Sequence, residues 1–171
     1  ALSVELAEQQ RKELEAQGHK CYMIPMGGAN AIGSSGFVKG FVEMSRQMEQ
    51  LGRHADYVFH GTGTGGTLAG LAAGRALIDS DTKIISINVS PKPVEHYAKI
   101  AKLATDTLAY LGSSKTVTVE DLHFDQNYFA PGYEIPNQAS SDAIKLLART
   151  EGVLVDPVYT GKGFAGMLDY I

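Results

Sequence analysis

The sequence predicts an α/β fold: a mostly parallel sheet with helices on both faces, in three layers. Three observations carry this. Apolar runs of strand length alternate with segments of helical periodicity along the chain. The run KIISINVS reads as continuously apolar, as for a strand buried between two helical layers. The stretch DYVFHGTGTGGTLAGLAAG passes from a strand pattern through a glycine-rich turn into a small-residue helix, the unit from which parallel sheets are built.

The elements follow in order. SVELAEQQRKELEAQG reads as a solvated helix, with Ser3 as its cap, Glu8 and Lys12 at i,i+4, and Gly18 to end it. KCYMIP is a strand candidate, which makes Cys21 a buried strand residue rather than a nucleophile. GGANAIGSSG is a turn-rich loop. Phe37, Phe41, Met44, Met48 and Leu51 then recur at helical spacing and read as core, with Gly52 as the stop. DYVFH is a strand, and a helix spans about 67–79 after the glycine turn. KIISINVS is the next strand. Val94, Tyr97, Ala101, Ala104, Leu108 and Leu111 mark another helix, and TVTVEDL is a short strand or extended segment. NYFAPGYEIPN is irregular. Ile144, Leu147 and Ala148 share one helix face that Gly152 can end, VLVDPVY reads as a final strand, and TGKG opens a final helix.

Composition bounds the function. The chain has 171 residues, 44% apolar and 20% charged, the range of one ordinary globular domain. A formal net charge of -4 disfavours broad nucleic-acid binding. There is no long apolar run of membrane-span length and no signal-peptide pattern. The single cysteine excludes an internal disulfide, and a cytoplasmic setting is the simplest reading. His19, His54, His96 and His123 have no metal-ligand spacing, so no metal site is expected. The chain starts at the approach to a helical pattern and stops inside another, so the sequence is read as a fragment of a longer protein.

The loop HGTGTGGT is the strongest chemical signal. Its glycines permit the positive φ values of an anion-binding nest, and the following helix aims its positive end at the same place. Thr62, Thr64 and Thr67 add hydroxyl donors. A close-packed strand–helix turn without ligand is the plain alternative, but five glycines within eleven residues exceed what a turn needs. Gly61, Gly63 and Gly66 spell the dinucleotide pattern G-x-G-x-x-G, yet the next strand ends SINVSPKP without the acidic residue that pattern expects. The Walker pattern fails as well, because Thr67 follows Gly66 with no lysine between them. A dinucleotide-binding oxidoreductase domain, or a non-catalytic phosphate-binding module, is thus the rival class, and another phosphate cofactor is favoured.

Three further segments identify that cofactor by resemblance: PMGGANAIGSSGFV, YFAPGYEIPN and LLARTEGVLVDPVYTGKGFAGM. With HGTGTGGTLAGL they resemble the D-cysteine desulfhydrase and 1-aminocyclopropane-1-carboxylate deaminase family, pyridoxal-phosphate enzymes of the tryptophan-synthase β-subunit fold type. The resemblance runs over essentially the whole chain, and DPVYTGKG is its most specific piece. It implies that Gly61, Thr62, Gly63, Thr64, Gly65, Gly66 and Thr67 form the phosphate cup of pyridoxal 5'-phosphate. It implies that Tyr133 and Tyr159 are the two active-site tyrosines, against the plain reading of aromatic packing. It places Thr160 as the partner of the pyridine nitrogen, where the deaminases carry a glutamate and the desulfhydrases a small hydroxyl residue. Thr160 therefore leans toward β-elimination of D-cysteine, or a similar amino acid, to pyruvate, ammonia and sulfide. A hydroxyl suits a neutral pyridine, and β-elimination needs less carbanion stabilisation than cyclopropane opening. A deaminase or a cysteate sulfo-lyase stays open within the class.

The same resemblance divides the chain into 1–30, the tail of a small domain and its crossover, and 31–171, a large cofactor-binding domain truncated at both ends. The family's Schiff-base lysine belongs to an N-terminal segment absent from this sequence, so this chain is expected to be inactive alone. Of ten lysines only Lys162 adjoins a matched motif, and it reads as a structural helix-start residue. Residues 27–33 can border the site through Asn30, or serve only to let Ser34 or Ser35 cap a helix. His60 abuts the cup and has both a structural and a contact reading. A homodimer acting on a small amino acid, with no nucleic-acid or membrane partner, is the expected assembly of the full protein.

Overall fold

The computed structural model describes residues 2–171. Among them, three parallel strands form one sheet in the order β1 (Tyr57–Thr62), β2 (Lys83–Asn88), β3 (His123–Asp125). Helices α1 (Leu2–Ala16) and α2 (Ala31–Gln50) precede the sheet, and α3 (Gly66–Leu77) and α4 (Val94–Tyr110) cross between its strands. Helices α5 (Gln138–Glu151) and α6 (Thr160–Tyr170) close the chain.

The sheet lies between two helical layers because side chains alternate across it. Ile84 joins Val38, Phe41, Leu68, Ala72, Ile100 and Leu108 in the core under α2, α3 and α4. Each of the larger side chains among these, taken out of water, contributes roughly 1.5–3 kcal/mol. On the opposite face α6 lies so close that a Cβ on Gly163 would meet the Gly61 amide at 3.2 Å. The Tyr170 ring packs edge-on against Phe59 at 5.2 Å there. Helix α5 backs α6, with Ile144 against Gly161.

Helices α2 and α3 also approach closely. A Cβ on Gly70 would collide with the Ser34 carbonyl, and the buried Ser34 hydroxyl donates to the Gly66 carbonyl at 3.0 Å. This contact locks the start of α3, and with it the glycine loop, against α2.

Several local expectations change. The segment 20–25 is an irregular connection, with Tyr22 and Ile24 exposed and Cys21 half-buried. VLVDPVY is likewise irregular, and Leu154 is 83% exposed. Both have strand composition, but a strand exists only where a neighbouring backbone completes the ladder. In TVTVEDL the extended part gives way to a 3-10 turn at Val119–Asp121, and the third strand forms just after it. Ser3 lies inside the first turn of α1, and Glu8 pairs with Arg11 rather than Lys12. Asn30, not Ser34 or Ser35, caps α2, its Oδ1 accepting from the Gly33 amide at 2.8 Å. Phe37, Leu51, Val94 and Leu111 lie at helix ends or rims and stay exposed.

Candidate functional site

Strand β1 ends at Thr62 and α3 begins at Gly66, so the chain reverses within a few residues. Gly65 makes this possible: its φ is +92°, and a Cβ there would collide with Ile100. The loop 61–67, with Gly27 and Tyr159, lines a concavity of about 230 Å³. Its walls stand close to the glycines. A Cβ on Gly66 would lie 3.2 Å from Ala29 Cα, and one on Gly63 would lie 2.5 Å from the Tyr159 hydroxyl. The first amides of α3 have no intrahelical partners, and Gly66 and Thr67 line this hollow, an arrangement suited to a phosphate. The glycine cradle therefore fits a phosphate group. Thr62 is buried, and its hydroxyl stands 3.4 Å from His60 Nδ1.

His60 braces the cup from behind. Its Nδ1 lies 3.1 Å from the Gly61 carbonyl, while Nε2 is buried and unpartnered among the described residues. Burial lowers its pKa to about 4, so the ring is neutral near pH 7. From the other side, His96 on α4 reaches the Gly63 carbonyl with Nε2 at 3.3 Å. Burial, first, and the nearby Lys92 hold the His96 ring below its ordinary pKa.

Tyr159 is placed by Asp156. One carboxylate oxygen accepts from the amides of Val158 at 2.8 Å and Tyr159 at 2.6 Å, and the other from Thr160 at 2.9 Å. Burial works against the carboxylate charge, but these amides outweigh it and keep Asp156 below its ordinary pKa. The carboxylate thereby starts α6 and turns the Tyr159 phenol onto Gly63.

Tyr133 arrives from the irregular segment between β3 and α5. Its hydroxyl lies 2.9 Å from that of Tyr159, and the rings meet edge-to-face with centroids 5.6 Å apart. Burial, then the hydrogen bond shared with Tyr133, pushes the Tyr159 phenol up to about 12.

The structure thus gathers residues 61–67, Tyr159 and Tyr133 into one place. Thr160 is exposed at the start of α6 and lines a neighbouring cleft of about 250 Å³, separated from the cup by Gly61. Asn30 gives its side chain to the α2 cap and to the Tyr22 hydroxyl, 3.0 Å away. Lys162 is fully buried, with its ammonium on main-chain carbonyls. No cluster of three or more metal-ligating side chains occurs among the described residues. Asp156, Asn137 and the contact of His96 were missed from the sequence. An aspartate shortly before a helix opening is a recognisable turn signal, so Asp156 was within reach. His96 offers no such signal, because its partner lies 33 residues away.

Residues 3–171 match the family described as pyridoxal-phosphate dependent enzyme. The D-cysteine desulfhydrases of Salmonella paratyphi B and Salmonella newport are each 41% identical over 158 residues, 92% of this chain and 47% of theirs. A crystal structure of an ACC deaminase homologue superposes with a TM-score of 0.86 at 32% identity, over 97% of this chain and 49% of that one. The chain therefore spans about half the length of the relatives it matches.

Proposed function

This chain belongs to the pyridoxal-phosphate-dependent enzyme family, and from that premise we propose that it carries the cofactor-phosphate cup of a D-cysteine desulfhydrase-type lyase. The net reaction would convert D-cysteine and water to pyruvate, ammonia and sulfide. The carrying observation is the glycine cradle of residues 61–67 with the Tyr159 phenol against Gly63. In this reading the loop amides and the start of α3 bind the phosphate, and Thr64 and Thr67 add hydroxyls. The bound cofactor would supply the electron withdrawal that lets an amino acid lose its α-proton. A phenol held at about 12 keeps its proton at neutral pH, so Tyr159 acts as a donor that orients, not as a resting base.

Thr160 is proposed as the neutral partner of the ring nitrogen, which favours β-elimination over cyclopropane opening. The likeness to an ACC deaminase homologue supports deamination as the second reading. The mostly exposed α1, with Val4 and Leu6 open to solvent, supports assigning 1–30 to a small-domain tail and crossover, and 31–171 to the large domain. A homodimer of the full protein is proposed by resemblance alone, and light scattering tests it. No described helix is long and apolar enough to cross a membrane.

The test of the cup is an absorbance titration of this chain with pyridoxal 5'-phosphate, with NAD as control. Borohydride reduction and mass analysis then look for adducts. Saturable binding of the first ligand, weakened by Gly63→Ala and without an adduct on Lys162, is expected. Binding of NAD in its place would overturn the reading.

A further inference from the structure

We propose that Lys162 is a positioning residue of the site: its buried ammonium holds the loop that carries Tyr133, and so sets the Tyr133–Tyr159 contact. Lys162 has no exposed surface, yet it stands in the first turn of α6, two residues after Thr160. Its Nζ donates to the carbonyls of Phe129 at 3.2 Å, Gly132 at 2.7 Å and Tyr133 at 3.2 Å. An ammonium has three protons, and here each has an acceptor. No carboxylate pairs with it among the described residues; burial is the one influence on its pKa, and lowers it.

The loop is held by side chains instead of a ladder. Asn137 Nδ2 donates to the carbonyls of Tyr128 at 2.9 Å and Ala130 at 2.8 Å. Lys162 takes the other three. Two side chains thus satisfy five of the six carbonyls from Tyr128 to Tyr133, in a segment with neither helix nor strand. The division of labour differs between them. Asn137 caps α5 and holds the early part of the loop. Lys162 holds its end, including the carbonyl of Tyr133 itself, and does so from α6, the helix whose start also fixes Tyr159. One helix therefore sets both phenols, one directly through Asp156 and Tyr159, the other through Lys162.

A buried cation without a counter-charge is costly, and its removal leaves three carbonyls unpaired. An apolar side chain would fill the same space without that cost to the charge. The geometry that Lys162 secures is the placement of Tyr133, whose phenol reaches Tyr159 and, through it, the cup. The inference rests on reading the two tyrosines as site residues, but its test needs no cofactor. Failure of the cup would show as absent cofactor binding, and failure of the proposal as an unchanged tyrosine contact.

The experiment compares the wild-type chain with Lys162→Met and Lys162→Arg by NMR on ring-labelled tyrosine, with signals assigned by Tyr133→Phe and Tyr159→Phe. Wild type should give cross-peaks between the two rings. Folded K162M should lose them while keeping the peak between the Tyr170 and Phe59 rings, and K162R should restore them. A folded K162M that keeps the Tyr133–Tyr159 cross-peaks overturns the proposal. Should K162M not fold, the wild-type ammonium decides. Slow hydrogen exchange at Lys162 Nζ, with couplings across hydrogen bonds to the Gly132 and Tyr133 carbonyl carbons, sustains it; rapid exchange without such couplings overturns it.

Discussion

The hydroxyls of Tyr133 and Tyr159 stand 2.9 Å apart although 26 residues separate them in the chain. Tyr159 is rooted at the start of α6 and Tyr133 in an irregular loop, so the contact exists only when loop, helix and glycine cup are assembled together.

Removing one hydroxyl of this pair should be visible in the other. Burial is the larger cause of the raised Tyr159 pKa, and the shared hydrogen bond the second. Tyr133→Phe should therefore lower the Tyr159 midpoint from about 12 without returning it to the ordinary 10. Ring-carbon NMR against pH measures this. An unchanged midpoint would mean that the two phenols do not share a hydrogen bond in solution.

The glycines of the cup should separate folding from binding. Gly65 has φ +92° and no room for a Cβ, so Gly65→Ala should cost about 1–3 kcal/mol in denaturant unfolding. Gly63→Ala meets the end of the Tyr159 side chain rather than backbone, and its φ is not in the left-handed region, so it should cost less stability than Gly65→Ala while weakening cofactor binding. Equal cofactor affinity for wild type and G63A would remove residues 61–67 from the binding site.

His60 gives a pH dependence with a definite sign. Its folded pKa is about 4 against 6.5 for the free side chain, so the unfolded chain binds the extra proton first. Stability from this group is complete above about pH 6.5 and falls as pH drops toward 4, by about 3 kcal/mol. His60→Gln should flatten that part of the curve of unfolding free energy against pH. An identical acid slope in the variant would assign the loss to other groups.

Asp156 should matter to the site more than its exposure suggests. Asp156→Ala removes the acceptor for three amides at the start of α6 and should cost about 1–2 kcal/mol. Because its folded pKa is depressed, the stability it adds is present above the ordinary carboxylate pKa and is lost as pH falls through the lower folded value. Amide exchange at Val158, Tyr159 and Thr160 should quicken in the variant. Unchanged protection at these amides would show that α6 starts without the carboxylate.

The elements whose signals are local were legible. The glycine turn between DYVFH and TLAGL identified β1, α3 and the cup between them, because a positive φ and a close-packed helix start demand glycine whatever surrounds them. KIISIN was found as a strand because its composition suits burial on both faces. The strands read into KCYMIP and VLVDPVY were not formed, because composition cannot supply a partner ladder. Lys162 was read as a structural helix-start residue, but its partners were hidden: three carbonyls of a distant loop take its ammonium only once the chain is folded.

By itself, the sequence determined the fold class, the family through its motifs, and the glycine-rich turn between β1 and α3. Each of these is encoded in short runs where backbone conformation or periodicity restricts the residue type. Only the tertiary structure decided which groups meet. It brought Tyr133 onto Tyr159, set His60 and His96 behind and beside the cup, and put Thr160 in the next cleft. Those relationships depend on distances between segments far apart in the chain, and no local preference specifies them.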